Sequence, residues 1–321
     1  MKQKVLVTRE VFDEVLAYLG AHFEVEGNQA DTPFSPEALA QKLADKNGVV
    51  CCLTDRIDEA LLARCPKLKA ACNIAVGYNN IDIEACRRRG VIATNTPGVL
   101  DDATADLAWA LILGAARRIT EAETYLRNGE WKGWHLKQLL GVDVHHATLG
   151  IIGMGRIGRA IAKRASGFKM KVLYHNRNRM PGDVERWLNA GYANKNDLLA
   201  QSDFVVLQVP YSAQTHHLIG AAELKLMKPT AVLINTTRGG VVDDAALIDA
   251  LKNGTIRAAG LDVYENEPDF NPEFLYLKNV VLVPHIGSST EATRKAMAML
   301  AARNLVAALT TGDAPNRVDR G

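Results

Sequence analysis

No run in this chain approaches the roughly 18 apolar residues that a membrane span needs, and the opening M-K-Q-K-V-L-V-T-R-E has no long apolar signal segment. A soluble, unexported, cytoplasmic protein with no membrane partner is therefore expected. Charge of one sign is equally scarce. The net charge is +2, and no block of like charge is longer than Arg87-Arg88-Arg89, so a nucleic-acid partner has no electrostatic footprint to dock on. Cysteine is sparse and odd in number: Cys51, Cys52, Cys65, Cys72 and Cys86 have no zinc-like spacing, and Cys51-Cys52 lies in an apolar run that reads as strand filler. Reduced core thiols and no metal centre are expected. No repeat at solenoid periods and no low-complexity linker is present.

What the chain does contain is an alternation of short apolar runs with helical segments. At 321 residues, and with about 100 to 200 residues per domain as a prior, two domains are expected. The first series pairs Val5–Val7 with Phe12–Leu19, Gly48–Leu53 with Glu59–Ala63, and Leu68–Cys72 with Ile83–Arg89, and closes on Val91–Thr94. Such a pattern predicts an α/β layer with a parallel sheet. Thr96-Pro97-Gly98 interrupts it. From Asp101 to Asn128 an Ala/Leu-rich stretch, ended by Gly129, predicts one helix roughly 40 Å long, enough to lie across two domains. A second βα series follows, with strands predicted at Lys171–Tyr174, Phe204–Val209, Ala231–Asn235, Ala258–Asp262 and Val280–Val283. The amphipathic segment Glu291–Leu309 is expected to return to the first domain. The boundaries expected are 1–98 with 287–321 for a discontinuous substrate-binding domain, and 99–286 for a dinucleotide-binding domain.

The second series opens on residues 149–159, L-G-I-I-G-M-G-R-I-G-R: a buried strand, a tight turn and a helix. Three glycines serve three needs. Gly153 allows a sharp turn, Gly155 leaves backbone room for a pyrophosphate, and Gly158 permits close packing of helix on strand. The phosphates would meet the free N–H groups and positive end of the helix beginning near Arg156 and Ile157.

Ligands of doubly wound sheets bind beyond the carboxyl ends of the strands, and three polar residues lie at such ends. Arg238, in I-N-T-T-R-G-G, could grip a carboxylate through two parallel hydrogen bonds. Glu267, in Y-E-N-E-P, is biased by Pro268 to an extended or turn conformation. His285 ends the run V-L-V-P-H-I-G-S. Alone, these would read as a turn arginine, a solvating glutamate and a structural histidine.

Together with V-G-Y-N-N-I-D at 76–82, N-T-P-G-V-L at 95–100, N-T-T-R-G-G-V-V-D at 235–243, A-A-G-L-D-V-Y-E at 258–265 and P-H-I-G-S-S-T at 284–290, the chain resembles the D-isomer-specific 2-hydroxyacid dehydrogenases. Among them it is most similar to the glyoxylate and hydroxypyruvate reductases and their 2-ketogluconate reductase relatives. The resemblance implies two doubly wound parallel-sheet domains, a Rossmann cofactor domain inserted in a flavodoxin-like substrate domain, with the active site in the interdomain cleft. It implies hydride transfer between a nicotinamide cofactor and a small 2-keto or 2-hydroxy acid. Arg238 would bind the carboxylate and polarise the keto oxygen, His285 would give the proton, and Glu267 would pair with the other imidazole nitrogen. A carboxylate beside an imidazole favours its charged form, which suits an acid working near neutral pH. Leu53 and Tyr78 would shape the pocket, and the backbone of Val76 and Gly77 would complete carboxylate binding.

Further positions follow from the same resemblance. Asp262, with the backbone of Thr237, would hold the nicotinamide carboxamide; Thr104 would lie near the cofactor; Pro210 would flank the adenine. Relatives usually have glutamate where this chain has Asp106. Trp134 aligns with a tryptophan that relatives send into a partner subunit's active site, which fits a homodimer, and His216-His217 is expected to be loop surface. Phosphoglycerate, formate and phosphite dehydrogenases share the scaffold, and so do nucleotide-sensing corepressors.

Cofactor choice is read from the residues themselves. An NAD enzyme places Asp or Glu about 20 residues past the first glycine to bind the ribose 2′-hydroxyl. Here Y-H-N-R-N-R occupies 174–179, with no acid before Asp183. Asn176 leaves space without negative charge, while Arg177 and Arg179 can meet a 2′-phosphate. NADP(H) is therefore expected to be preferred, with NAD(H) as the second choice.

Overall fold

The computed structural model describes residues 2–320, and the chain divides into two compact units. One holds the residues through Leu100 together with those from Ser289 onward; the other is Asp101–Ser288. The polypeptide thus leaves the first unit, builds the second and returns.

In the first unit, strands β1 (Lys4–Val7), β2 (Glu24–Gly27), β3 (Gly48–Cys51), β4 (Ala70–Asn73) and β5 (Ile92–Thr94) form a parallel sheet in the order β2-β1-β3-β4-β5. That is the flavodoxin-like order. Helices α1 (Asp13–His22), α2 (Pro36–Leu43), α3 (Glu59–Arg64) and α4 (Ile83–Arg88) make the connections. Their starts are written locally: Ser35, Asp58 and Asp82 each accept from a backbone N–H of the first turn, and Pro36 occupies a position where no amide donor is needed. β3 and β4 are buried at every position, as expected of strands covered on both faces. β2 and α2 have no counterpart in the sequence reading.

The second unit carries helices α5 (Asp101–Ala116), α6 (Ile119–Arg127), α7 (Arg156–Ala165), α8 (Gly182–Leu188), α9 (Lys195–Gln201), α10 (Ala221–Leu226) and α11 (Asp244–Lys252). Its strands are β6 (Thr148–Ile152), β7 (Lys171–His175), β8 (Ala190–Tyr192), β9 (Phe204–Leu207), β10 (Val232–Asn235), β11 (Ala258–Leu261) and β12 (Val280–Leu282). All pair in parallel, in the order β8-β7-β6-β9-β10-β11-β12, which is the Rossmann order with a seventh strand added at one edge. Strand order reverses between β6 and β9.

The single long helix predicted over 101–128 is two helices. Arg118 takes a left-handed conformation (φ 55°) between α5 and α6. The carbonyl of Ala116 accepts from the amide of Val142 at 2.9 Å instead of continuing a helical ladder. Gly141 passes so close that a Cβ there would sit 2.3 Å from that carbonyl oxygen. The loop crossing the end of α5 therefore ends the helix, although A-R-R favours continuation. α5 itself is buried by its own unit, with Ala108, Leu111 and Ile112 in the core shared with β6, β9 and β10.

The last helix, α12 (Glu291–Thr311), packs on the first unit, as its segment was expected to do. Ala298, Ala301, Ala302 and Leu305 join Val5, Val7, Val50 and Cys72 in one core. The fit is close: a Cβ on Gly48 would lie 2.6 Å from Leu305 Cδ1.

Candidate active site

In the second unit the strands run the same way, so their carboxyl ends share one edge, and the candidate side chains stand there. The glycine turn follows β6 at the reversal of strand order. Gly153 has φ 103°, a conformation that side chains resist, and a Cβ on it would lie 2.3 Å from the carbonyl oxygen of Gln208. At Gly158 a Cβ would approach the Gly153 carbonyl oxygen to 2.4 Å, so this glycine lets α7 sit down on its strand. Gly155 differs: nothing lies within 4 Å of an added Cβ, which leaves the space before the first turn of α7 open. These three environments fit a dinucleotide pyrophosphate at the helix N-terminus. Arg156 is exposed beside this space, and Ile157 packs inward.

Beyond β7, Asn176 Oδ1 accepts from the amide of Met154 at 2.7 Å, so this residue also holds the glycine turn. Arg177 is exposed. Arg179 is bound: its Nε and Nη2 donate to the two carboxylate oxygens of Glu185 at 2.8 and 2.9 Å, and its guanidinium lies over the Tyr192 ring. Its Nη1 takes no part in that pair, while Arg177, in the same loop, stands free of such an anchor among the described residues.

After β10 the backbone turns through Thr236, Thr237 and Arg238. Buried Asn235 organises the turn, accepting from the amide and hydroxyl of Thr237 at 3.1 and 2.8 Å and donating to the Arg238 carbonyl at 3.0 Å. Arg238 is half-buried, and its Nη1 donates to the Thr237 carbonyl at 2.7 Å. Burial lowers its pKa from the usual arginine value while the nearby charge of Glu267 works the other way. The next residue must be glycine, because a Cβ on Gly239 would lie 1.8 Å from the Tyr264 carbonyl carbon.

The segments after β11 and β12 meet. Glu267 accepts from the Tyr264 amide through Oε1 at 2.7 Å and faces His285 Nδ1 through Oε2, also at 2.7 Å. His285 has φ 53°, and its amide donates to the Asp262 carbonyl at 2.9 Å. The Asp262 carboxylate, almost wholly buried, accepts from the amides of Ile286 and Gly287 at 2.6 and 2.9 Å. Burial raises its pKa to about 6, against the amide of Ile286 and the charge of His285. Arg238, Asp262, Glu267 and His285 thus stand close enough to feel one another's charge.

Other expected residues are placed as follows. Thr104 is buried, its methyl 3.5 Å from where a Cβ of Gly287 would stand. Asp106 pairs with Arg164 at 2.8 Å and so ties α5 to α7. Pro210 is exposed at the start of a tight turn whose Thr215 hydroxyl donates to its carbonyl at 2.7 Å. Trp134 is 76% exposed. His216 and His217 are loop surface, as expected, and His217 Nε2 lies 2.6 Å from Glu265 Oε1. In the first unit, Leu53 and Tyr78 are exposed, and the carbonyls of Val76 and Gly77 are held by Asn95 and Asn73 at 2.8 and 2.9 Å. Sequence reasoning did not single out Asn73, Asn95 or Asn235. Their only prior signal is an asparagine closing an apolar strand.

The family model for the D-isomer specific 2-hydroxyacid dehydrogenase NAD binding domain matches residues 109–287. The chain is 50% identical over 319 residues to a glyoxylate reductase of Thermococcus gammatolerans, covering 98% of this chain and 95% of the relative. It is similar to the crystal structure of a glyoxylate reductase from Paecilomyes thermophila (TM-score 0.88, 35% identity, 99% and 98% of the two chains). It is equally similar to that of an NADPH-dependent glyoxylate/hydroxypyruvate reductase from Sinorhizobium meliloti in complex with NADP and malonate (TM-score 0.88, 34% identity, 99% and 97%). With a Rossmann unit built around the three glycines and a paired histidine and glutamate at its strand ends, the chain belongs to the D-isomer specific 2-hydroxyacid dehydrogenase family and is an NAD(P)-dependent oxidoreductase.

Proposed function

We propose that this enzyme reduces glyoxylate to its 2-hydroxy acid, taking hydroxypyruvate and 2-ketogluconate as further 2-keto acids, with NADPH preferred over NADH. The observation that carries the reading is the 2.7 Å pair between His285 Nδ1 and Glu267 Oε2, with Arg238 beside it. The identity to the Thermococcus gammatolerans relative supports glyoxylate as the substrate.

When bound, a reduced nicotinamide supplies the hydride. Gly153, Gly155 and Gly158 with the start of α7 would hold its pyrophosphate, Arg177 and Asn176 its adenosine ribose and 2′-phosphate, Pro210 the adenine edge, and Asp262, Thr237 and Thr104 its nicotinamide end. Arg238 grips the substrate carboxylate and polarises the keto oxygen, since a guanidinium offers parallel donors in a fixed fork. In the first unit, the backbone of Val76 and Gly77 and the side chain of Leu53 are the groups we assign to substrate binding.

Glu267 fixes His285 by binding Nδ1, so that Nε2 faces the substrate and gives its proton to the keto oxygen; in oxidation the same nitrogen takes it back. A positioned acid of this kind contributes roughly 10²- to 10⁴-fold in rate. The test is a side-by-side assay of glyoxylate, hydroxypyruvate and 2-ketogluconate with NADPH and with NADH. Highest kcat/KM for glyoxylate with NADPH is expected, and no turnover of any 2-keto acid would overturn the reading.

A further inference from the structure

The loop after β9 and the segment after β11 meet at a cluster that the catalytic reading does not use. A ring nitrogen of His216, a ring nitrogen of His217 and a carboxylate oxygen of Glu265 all lie within 4.8 Å of one another. The two rings are stacked, with centroids 3.9 Å apart and planes inclined by 26°. We propose that His216, His217 and Glu265 form a binding site for a borderline transition cation, zinc above all, that bridges these two segments of the cofactor-binding unit.

The donor set argues for that class of ion. Two imidazoles and a carboxylate suit zinc, with water completing a tetrahedron, whereas magnesium and calcium seek oxygen ligands throughout. The ligands are oriented from behind. Tyr211 Oη lies 3.3 Å from His216 Nδ1 and restrains that ring. The His217 amide donates to the Gly240 carbonyl at 2.8 Å, and the Glu265 amide donates to buried Asp244 at 3.0 Å, so neither backbone is loose. Asp243 Oδ2, 3.9 Å from His217 Nδ1, adds negative charge. His216 and His217 lie at the surface while Glu265 is half-buried, which gives an ion a path from solvent. His217 Nε2 and Glu265 Oε1 now pair at 2.6 Å, and a cation would enter between them in place of that contact.

Isothermal titration of the full chain with zinc chloride, without cofactor or substrate, tests the site. One equivalent is expected to bind saturably, with a weakening of about tenfold or more in each of His216→Ala and Glu265→Gln. His216→Ala changes an exposed side chain and Glu265→Gln keeps an acceptor for His217, so both variants should fold, as circular dichroism would show. Cobalt(II) provides a second readout, a visible absorption band in the wild type that both variants lose. Absence of saturable zinc binding, unchanged affinity in both variants, or equal competition by magnesium would each overturn the proposal.

Discussion

Glu185 holds Arg179 by two hydrogen bonds of 2.8 and 2.9 Å, and the same carboxylate accepts the Tyr174 hydroxyl at 2.6 Å. Under the proposed NADPH preference, the more direct contact with a 2′-phosphate is expected from Arg177. Arg177→Ala should lower kcat/KM for NADPH by about tenfold or more and barely alter that for NADH, the loss expected for a charge-assisted hydrogen bond. Arg179→Ala should do less. Asn176→Asp combined with Arg177→Ala keeps an acceptor for the Met154 amide while repelling a 2′-phosphate, so preference should move toward NADH. Should the unmodified enzyme use NADH as well as NADPH, Arg177 is a surface charge.

His285→Ala should reduce turnover by roughly 10²- to 10⁴-fold, the range of a positioned acid, while titration shows NADPH binding largely intact. Arg238→Lys should also be severe, because a point charge cannot reproduce the guanidinium fork. Near-normal activity in His285→Ala would remove that residue from the mechanism.

Two glycines of one motif should fail differently. Gly155→Ala enters open space, so the melting temperature should hold while KM for the cofactor rises. Gly158→Ala brings a Cβ within 2.4 Å of a backbone oxygen and should lower the melting temperature as well. Equal melting temperatures would contradict the close packing of α7 on β6.

Asp244 is buried, and burial raises its pKa to about 6, against the hydrogen bond from the Glu265 amide. The folded state therefore holds this proton more tightly than the unfolded chain does. The stabilisation is fully present below about pH 4 and is lost as pH rises through 6, a span worth up to about 3 kcal/mol. Asp244→Asn removes the titration and can still accept from Glu265. Melting curves should show the variant gaining on the wild type between pH 4 and 6, and a constant difference would place the raised proton affinity elsewhere.

Along the chain from α5 to Leu140, the side chains of Leu113, Ile119, Leu126, Trp131, Trp134, Leu136 and Leu140 are all exposed. So many uncovered apolar side chains along one stretch of chain motivate a partner, and we expect a homodimer that buries them. Sedimentation should show a dimer at micromolar concentration, with dissociation promoted by Trp134→Ala. A monomeric wild type would end that reading.

Much of this was legible in the sequence because the physics is local or periodic. Gly153, Gly155 and Gly158 mark their turn by chemistry that no other residue supplies, and runs such as Phe204–Leu207 announce buried parallel strands. What escaped was set by distant neighbours or by weak patterns. β2, with the sequence E-V-E-G, is an edge strand whose exposed ends carry no apolar signal. The break at Arg118 depends on Val142, a residue 24 positions later whose amide takes the Ala116 carbonyl. His217 and Glu265 are 48 residues apart, so their pairing is invisible until β9 and β11 are aligned.

The return of the chain also sets an order of assembly. Residues 101–288 leave the ribosome before α12, so the Rossmann sheet can close while the face of the first sheet that awaits Leu305 is still bare. During synthesis that face, lined by Val5, Val7, Val50 and Cys72, still lacks the cover of Ala301 and Leu305, and a chain stopped at Ser288 should fold its second unit yet leave its first one open to proteolysis.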